Sequence, residues 1–311
     1  MLDFDESPSP ERHPVISLIL ILCVILVGFV IVGPMIGFVL SLPFFPGDIE
    51  QYLEALQHIP DHPEIKTALY ILQGCATFTG LILGPALFLK TDRRTLGIYF
   101  RDHGFQIIPI VLTIILVVIF MAVNSVFIEW NANVQLPEFL KDLEIWARGQ
   151  ELKASEITTF LTHFDSPFQV AVALFVIAVL PAFGEEIVFR GLIQNEFFRG
   201  TKNIHVAIWI SAILFSAIHV QFFGFVPRML LGALFGYLYY WSGSLRMAIL
   251  AHFINNAMSV IGIYLSQLGY LDIDMESNDA APWPAVLFSA TSTIIILYSF
   301  RRYYQQKSGV L

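Results

Sequence analysis

The chain alternates between long apolar runs and shorter polar segments, and each apolar run is about 20 residues long. A helix of that length rises about 30 Å, the thickness of the hydrocarbon core of a bilayer. Helices are expected because the backbone polar groups of a lipid-embedded segment must be satisfied within that segment. The pattern predicts an all-α, polytopic transmembrane helix bundle of about eight spans. The spans are Val15–Leu42, Thr67–Leu89, Ile107–Ile128, Phe168–Leu192, Ile204–Val220, Phe225–Trp241, Leu245–Leu265 and Pro284–Phe300.

The polar segments divide the chain into parts of different character. Apolar positions between residues 131 and 167 recur at near-helical spacing, at Leu140, Leu143, Ile145 and Trp146, which predicts an amphipathic helix on the outer surface. The first span is expected to be retained, because its leader is acidic and its apolar run exceeds that of a signal peptide. The parts are a polar tail (1–14), three scaffold spans (15–130), an outer loop (131–167), a core of four spans (168–265), and an outer loop with the last span and tail (266–311).

The positions of Lys and Arg predict that both termini lie on the cytoplasmic side, where short loops carry most cations. With the N-terminus inside, twelve of these residues flank spans on the inside and four on the outside. The inside set is Arg12, Lys90, Arg93, Arg94, Arg101, Arg190, Arg199, Lys202, Arg246, Arg301, Arg302 and Lys307. The outside set is Lys66, Lys141, Arg148 and Lys153.

Composition supports a membrane protein and excludes some functions. Hydrophobic residues make up 56% of the chain and charged residues 14%, against about 45–50% and about 25% in soluble domains. The net charge is −8 and no basic cluster of the kind that binds nucleic acid is present. Cys23 and Cys75 lie in apolar spans without a CxxC pattern, which favours neither a disulfide framework nor a thiol nucleophile.

Ionisable residues within the membrane point to a functional site, because each costs several kcal/mol to bury there. In the run GEEIVFRG, Glu186 and Arg190 lie one helical turn apart, in the favourable order for an ion pair. The adjacent Glu185 points about 100° away and lacks that partner. A carboxylate in such surroundings suits a general base. The alternative is a helix end at the headgroups with ordinary charged residues.

Two further clusters follow on later spans. His219 ends the run ILFSAIH, and a single histidine there is also compatible with a hydrogen-bonded core residue. His252 and Asn256 lie one turn apart on one helix face, where two donors can stabilise an oxyanion. Hydrogen bonds that merely join helices are the alternative reading of this pair.

The motifs EExxxR, FxxxH and HxxxN, in that order on successive spans, resemble the CPBP family. This family contains CAAX prenyl endopeptidases and bacteriocin-processing relatives, and the resemblance covers roughly residues 170–260. It implies an intramembrane endopeptidase that cleaves near the cytosolic face, in some members after a prenylated cysteine. The expected partners are therefore a membrane-associated peptide or prenylated protein and the lipid bilayer, in a bacterial plasma membrane.

The resemblance also implies roles for individual residues. Glu185 and His219 correspond to the pair that activates water, and His252 and Asn256 to the groups that stabilise the oxyanion. Glu186 and Arg190 correspond to a structural ion pair. Two alternatives stay open for the cofactor, because Glu185, His219 and His252 could ligate a single Zn²⁺, or the pair could activate water with none.

The depth of the site requires a longer fourth helix than the apolar run suggests. If this helix ends near Leu192, Glu185 lies only about 10 Å from the inner edge, too far from His219 to share a water. We therefore expect the helix to continue through Gln194 and Asn195 to about residue 198, with Gly200 as a left-handed cap. A polar vestibule open to the inside would then reach the site.

Two other functions fit the same polar residues. A transporter or proton relay would use Glu185, Glu186, Arg228 and the histidines, and matching broken helices in two halves would favour it. A membrane scaffold without catalysis is the third alternative.

Overall fold

The computed structural model describes residues 12–100, 106–271 and 277–307. Arg101, the first eleven residues of the predicted polar tail and the last four of the C-terminal tail lie outside the described residues. The described residues form helices and no named strand, so the predicted all-α fold is confirmed. The helices are α1 (Pro14–Phe44), α2 (Ile49–Gln57), α3 (Pro63–Thr91), α4 (Ile107–Ala132), α5 (Lys141–Thr162), α6 (Pro167–Thr201), α7 (Ile204–Ala217), α8 (Phe225–Ser242), α9 (Leu245–Gln267) and α10 (Trp283–Lys307).

Seven of the ten described helices are long and apolar enough to cross a membrane, and among the eight predicted spans α7 is the exception. It was predicted to span as Ile204–Val220, but it ends at Ala217 after 14 residues. Such a helix rises only about 21 Å, less than the hydrocarbon thickness. The bundle therefore has seven helices of spanning length and the shorter α7, which residues 218–224 connect to α8.

The bundle has two ends: the terminal end, where the first described helix begins and the last one finishes, and the α5 end, where the C-terminus of α5 lies. Contacts between helix termini define both. At the terminal end, Arg12 pairs with Asp92 and Arg199 donates to the Arg12 carbonyl over 2.8 Å. At the α5 end, Lys66 Nζ donates to the carbonyl of His163, which follows α5, over 2.7 Å. Helix α1 begins at the terminal end, directly after Arg12. Helix α10 finishes at the same end, where Phe300 packs on Trp241 near the end of α8 with ring centroids 6.5 Å apart.

Three helices contain a π-helical segment that ends two residues before a proline. The segments are Val27–Val32, Phe78–Leu83 and Leu174–Val179, followed by Pro34, Pro85 and Pro181. Proline has no N–H and its ring displaces the preceding turn, so the widened turn absorbs the strain without ending the helix.

Helix α6 is long enough to carry the site to the predicted depth. It runs without a break through Gly191, where the chain is π-helical over Ile187–Ile193, and ends at Thr201. The expectation that Gly200 caps the helix is wrong, because Gly200 is still helical and Lys202 adopts the left-handed conformation, with φ at 56°. Glu185 is thereby about 24 Å from the terminal end of α6.

Helix α8 packs closely on α6 and α7 because two of its residues are glycines one turn apart. A Cβ on Gly236 would lie 2.8 Å from Gln194 Oε1 and 2.9 Å from Ile208 Cγ2. A Cβ on Gly232 would lie 3.2 Å from the Cα of Ala212. This approach brings the backbone of α8 within reach of side chains on α6.

Candidate active site

A cavity of about 810 Å³ lies between α4, α5, α6, α8, α9 and the segment that joins α7 to α8. The four side chains predicted to be catalytic all line it. Glu185 comes from α6, His219 from the joining segment, and His252 and Asn256 from α9. Four side chains from three separate parts of the chain thus share one space.

The Glu186–Arg190 pair lies behind the cavity in the protein interior. Arg190 Nη1 donates to Glu186 Oε1 over 2.8 Å, and Arg190 Nη2 donates to the Gly232 carbonyl over 2.8 Å. The guanidinium carbon also lies 4.7 Å from the ring centroid of Phe215 and 5.5 Å from that of Phe235. A buried ion pair needs such additional contacts to offset its desolvation.

His252 is oriented by the same glutamate. Its Nδ1 lies 2.8 Å from Glu186 Oε1, and because this oxygen already accepts from Arg190 it is a carboxylate acceptor, so His252 Nδ1 carries the proton. The imidazole stacks on Phe235 with centroids 5.2 Å apart. Its Nε2 consequently points to the other glutamate and lies 3.9 Å from Glu185 Oε2.

His219 follows the end of α7 and is fixed by that helix. Its Nδ1 donates to the Phe215 carbonyl over 2.8 Å, because a carbonyl can only accept. Nε2 therefore holds the lone pair. Val220 next to it has a φ of 54°, an outlier for a β-branched residue, and turns the chain away from α7. The Ser216 hydroxyl spans this turn and donates to the Phe225 carbonyl over 2.6 Å.

Asn256 is held by a backbone carbonyl of α6. Ile177 lies in the π-helical segment Leu174–Val179, and Pro181, four residues later, has no N–H to close an α-helical hydrogen bond to its carbonyl. Asn256 Nδ2 donates to the Ile177 carbonyl instead, over 3.2 Å. Its Oδ1 accepts from Asn255 Nδ2 over 3.1 Å. One N–H of the Asn256 amide remains for a ligand in the cavity.

The expectation that the vestibule opens to the inside is wrong, because the exposed part of the cavity lies at the α5 end. Ser155 and Thr158 of α5, and Asn278 of the segment before α10, are exposed and line the cavity. Phe235 and His252 line its deep part and are buried. The amphipathic helix predicted for residues 131–167 forms as α5 and covers the cavity with its polar face.

Two charged cavity residues were not assigned to the site from sequence. Arg228 was recognised as a cation within a span, and its Nη2 donates to Gln221 Oε1 over 2.6 Å while its Nη1 is buried without a partner among the described residues. Glu151 of α5 accepts from the backbone N–H groups of Phe223 and Gly224. Burial raises the pKa of Glu151, against these hydrogen bonds and the charges of Arg228 and Arg148. Nothing in the alternating pattern of α5 distinguishes Glu151 from a solvated charge.

The three predicted metal ligands are not arranged around a common metal position. Within the described parts of the chain, no group of three or more His, Cys, Asp or Glu side chains is arranged to hold a metal ion, and Glu185, His219 and His252 form no such group. As placed, these residues do not fit a zinc site.

The three motifs lie within a segment that matches a known family. Residues 167–258 match the Rce1-like family, described as type II CAAX prenyl endopeptidase Rce1-like. This segment is therefore similar to that family. The resemblance predicted from EExxxR, FxxxH and HxxxN is therefore confirmed over this segment, which runs from the start of α6 into α9 and contains all four cavity residues.

A curated relative is the uncharacterized protein YpbD of Bacillus subtilis (strain 168), which is 29% identical over 107 residues. The match covers 33% of this chain and 49% of YpbD, so the chain spans about half the length of the curated relative it matches. No solved structure matches the chain.

Proposed function

We propose that this protein is an intramembrane endopeptidase that hydrolyses a peptide bond of a membrane-associated substrate. The proposal rests on one observation, that Glu185 of α6, His219 of the α7–α8 connection, and His252 and Asn256 of α9 line a single cavity. All four residues lie in the segment that matches the Rce1-like family. The Rce1-like match makes a peptide of the CAAX type, with or without a prenyl group, the first substrate class to test.

Glu185 and His219 activate the water in this mechanism. The Glu185 carboxylate accepts a proton from the water as its oxygen attacks the carbonyl carbon, and His219 Nε2 accepts the second water hydrogen in a hydrogen bond. The contact between His219 Nδ1 and the Phe215 carbonyl supports this role, because it leaves the lone pair on Nε2.

His252 and Asn256 stabilise the oxyanion of the tetrahedral intermediate. Asn256 supplies the N–H that is not bonded to Ile177, and His252 supplies Nε2–H as an imidazolium whose charge Glu186 balances. Protonated Glu185 then gives its proton to the amide nitrogen, and the carbon–nitrogen bond breaks. The products are a carboxylic acid and an amine, and Glu185 is a carboxylate again.

The match of residues 167–258 to the Rce1-like family favours hydrolysis over transport. The seven long apolar helices support a location in a bilayer, and we assign it to a bacterial plasma membrane.

Purified protein incubated with a farnesylated C-terminal peptide and a set of unmodified membrane peptides tests the proposal by mass spectrometry. We expect cleavage that Glu185→Gln reduces about 10²–10⁴-fold, because the side chain keeps its size but loses its basicity. Ser259→Ala, which lies in the same cavity, serves as the matched control and should cleave as the wild type does. Cleavage at the wild-type rate by Glu185→Gln would contradict the mechanism.

A further inference from the structure

The rim of the cavity lies at the α5 end of the bundle. One face of α5 supplies it, since Ser155, Thr158 and Thr162 are spaced by three and four residues and all line the cavity. The same end holds the C-terminus of α9, where Gln267 donates through Nε2 to the Thr162 carbonyl over 2.8 Å. A peptide that enters the cavity therefore arrives at the end of the bundle opposite to Arg12 and Lys307.

The cations of the chain are concentrated at the other end. Apart from buried Arg190, the described members of the inside set lie on the helix ends and connections of the terminal end. Arg12, Arg94 and Arg199 are examples, on three different elements. At the α5 end, three described Lys residues lie outside the cavity, Lys66, Lys141 and Lys153, while Arg148 lines it. Lys141 and Arg148 are both paired with Glu144. Loops rich in Lys and Arg stay on the cytoplasmic side when a membrane protein inserts, and this bias sets the orientation of the bundle.

We infer that the terminal end faces the cytoplasm and that the active-site cavity opens to the opposite, non-cytoplasmic face of the membrane. The substrate is then a peptide segment of an exported or membrane-anchored protein presented on that face, and this part rests on the proposed endopeptidase function. The inference differs from cleavage near the cytosolic face, which the family resemblance implies. A cytosolic peptide at the terminal end would have to pass about 24 Å of packed helix to reach Glu185.

Labelling of single cysteines in sealed cells tests the orientation. Starting from a full-length variant with Cys23→Ala and Cys75→Ala, one cysteine is placed at the rim by Ser155→Cys or Asn278→Cys. In a third single-cysteine variant, Ser259→Cys, the cysteine lies within the cavity. A fourth, Gln306→Cys, carries its cysteine at the terminal end and is the matched control. All four positions are exposed. A membrane-impermeant maleimide is added to spheroplasts before or after permeabilisation.

We expect the two rim cysteines and Ser259→Cys to react before permeabilisation, with at least tenfold more label than Gln306→Cys. Gln306→Cys should react only after it. Reaction of Gln306→Cys in sealed cells, or failure of both rim cysteines to react until permeabilisation, would overturn the inference. The readout requires no proteolysis, so the inactive Glu185→Gln variant must give the same pattern. Failure of the orientation and failure of the proposed activity are thus separable.

Discussion

His252 Nδ1 and Glu186 Oε1 lie 2.8 Å apart, and the same oxygen accepts from Arg190 Nη1 at 2.8 Å. Glu186 therefore joins the helix that carries the proposed base to the helix that carries the proposed oxyanion donors. A residue that the sequence indicates as half of an ion pair also sets the tautomer and direction of a cavity histidine.

Glu186→Gln should lower both stability and cleavage. The amide keeps the size of the side chain but leaves Arg190 buried without a counter-charge, which costs about 3–5 kcal/mol. It also removes the charge that balances a His252 imidazolium. Thermal unfolding in detergent and the cleavage rate are the two measurements. Glu185→Gln is the control, because it should lose cleavage while its melting temperature stays close to that of the wild type. A Glu186→Gln protein as stable as the wild type would refute this role.

Pro181→Ala should weaken catalysis through Asn256. Alanine restores an N–H that competes for the Ile177 carbonyl, so the Asn256 amide loses its anchor. We expect cleavage to fall, though by less than the roughly 10²–10³-fold loss expected for Asn256→Ala. Pro85→Ala is the matched control, because Pro85 also follows a π-helical segment but lies in α3, away from the cavity. Equal effects of the two proline substitutions would show that the anchor is unimportant.

Glu151 and Glu144 on α5 should give stability opposite dependences on pH. Burial is the main reason that the pKa of Glu151 in the folded protein is raised above 4.5, its ordinary value. The contribution of Glu151 to the free energy of unfolding is therefore most favourable below pH 4.5 and declines as the pH rises from 4.5 to the folded pKa. The folded pKa of Glu144 is lowered below 4.5, chiefly by the hydrogen bond from the Leu136 N–H and then by Arg148. Its contribution is present above 4.5 and is lost as the pH falls through the folded pKa.

Melting temperatures of Glu151→Gln and Glu144→Gln, measured from pH 3 to 8, check these signs. Relative to the wild type, Glu151→Gln should gain stability toward higher pH, and Glu144→Gln should lose stability there. The same slope in both variants would contradict the assigned environments, in which Glu151 also faces Arg228 and Arg148.

Gly236→Ala should destabilise the bundle, because its Cβ would lie within 3.0 Å of Gln194 Oε1 and Ile208 Cγ2. Overpacking of this kind costs about 1–3 kcal/mol. Gly149→Ala on α5 is the control. A Cβ there meets nothing within 4 Å, so helix propensity should stabilise that variant by about 0.5–1 kcal/mol. Thermal unfolding of both in detergent is the measurement, and a stabilised Gly236→Ala protein would contradict the packing described for α8.

The amino-acid sequence by itself determined seven of the eight predicted long apolar helices, the three motifs and the resemblance of residues 167–258 to the Rce1-like family. These properties are local, because an apolar run of sufficient length and the spacing of residues on one helix require no knowledge of neighbouring helices. The continuation of α6 beyond Leu192 was also predictable, since Glu185 and His219 must lie at one depth to share a cavity. The direction in which the cavity opens was predicted wrongly, because it depends on how α5 covers the bundle.

Only the tertiary structure decided which groups meet across helices. Glu186 contacts His252, and Asn256 contacts the Ile177 carbonyl, although the residues of each pair are at least 66 positions apart in the chain. Arg228 and Glu151 both line the cavity, and the position of Glu151 depends on α5, a helix whose apolar pattern is too weak to place it in advance. The physical reason is that the rotation of each helix about its axis is set by packing, for example at Gly232 and Gly236, and that packing is a property of the whole bundle.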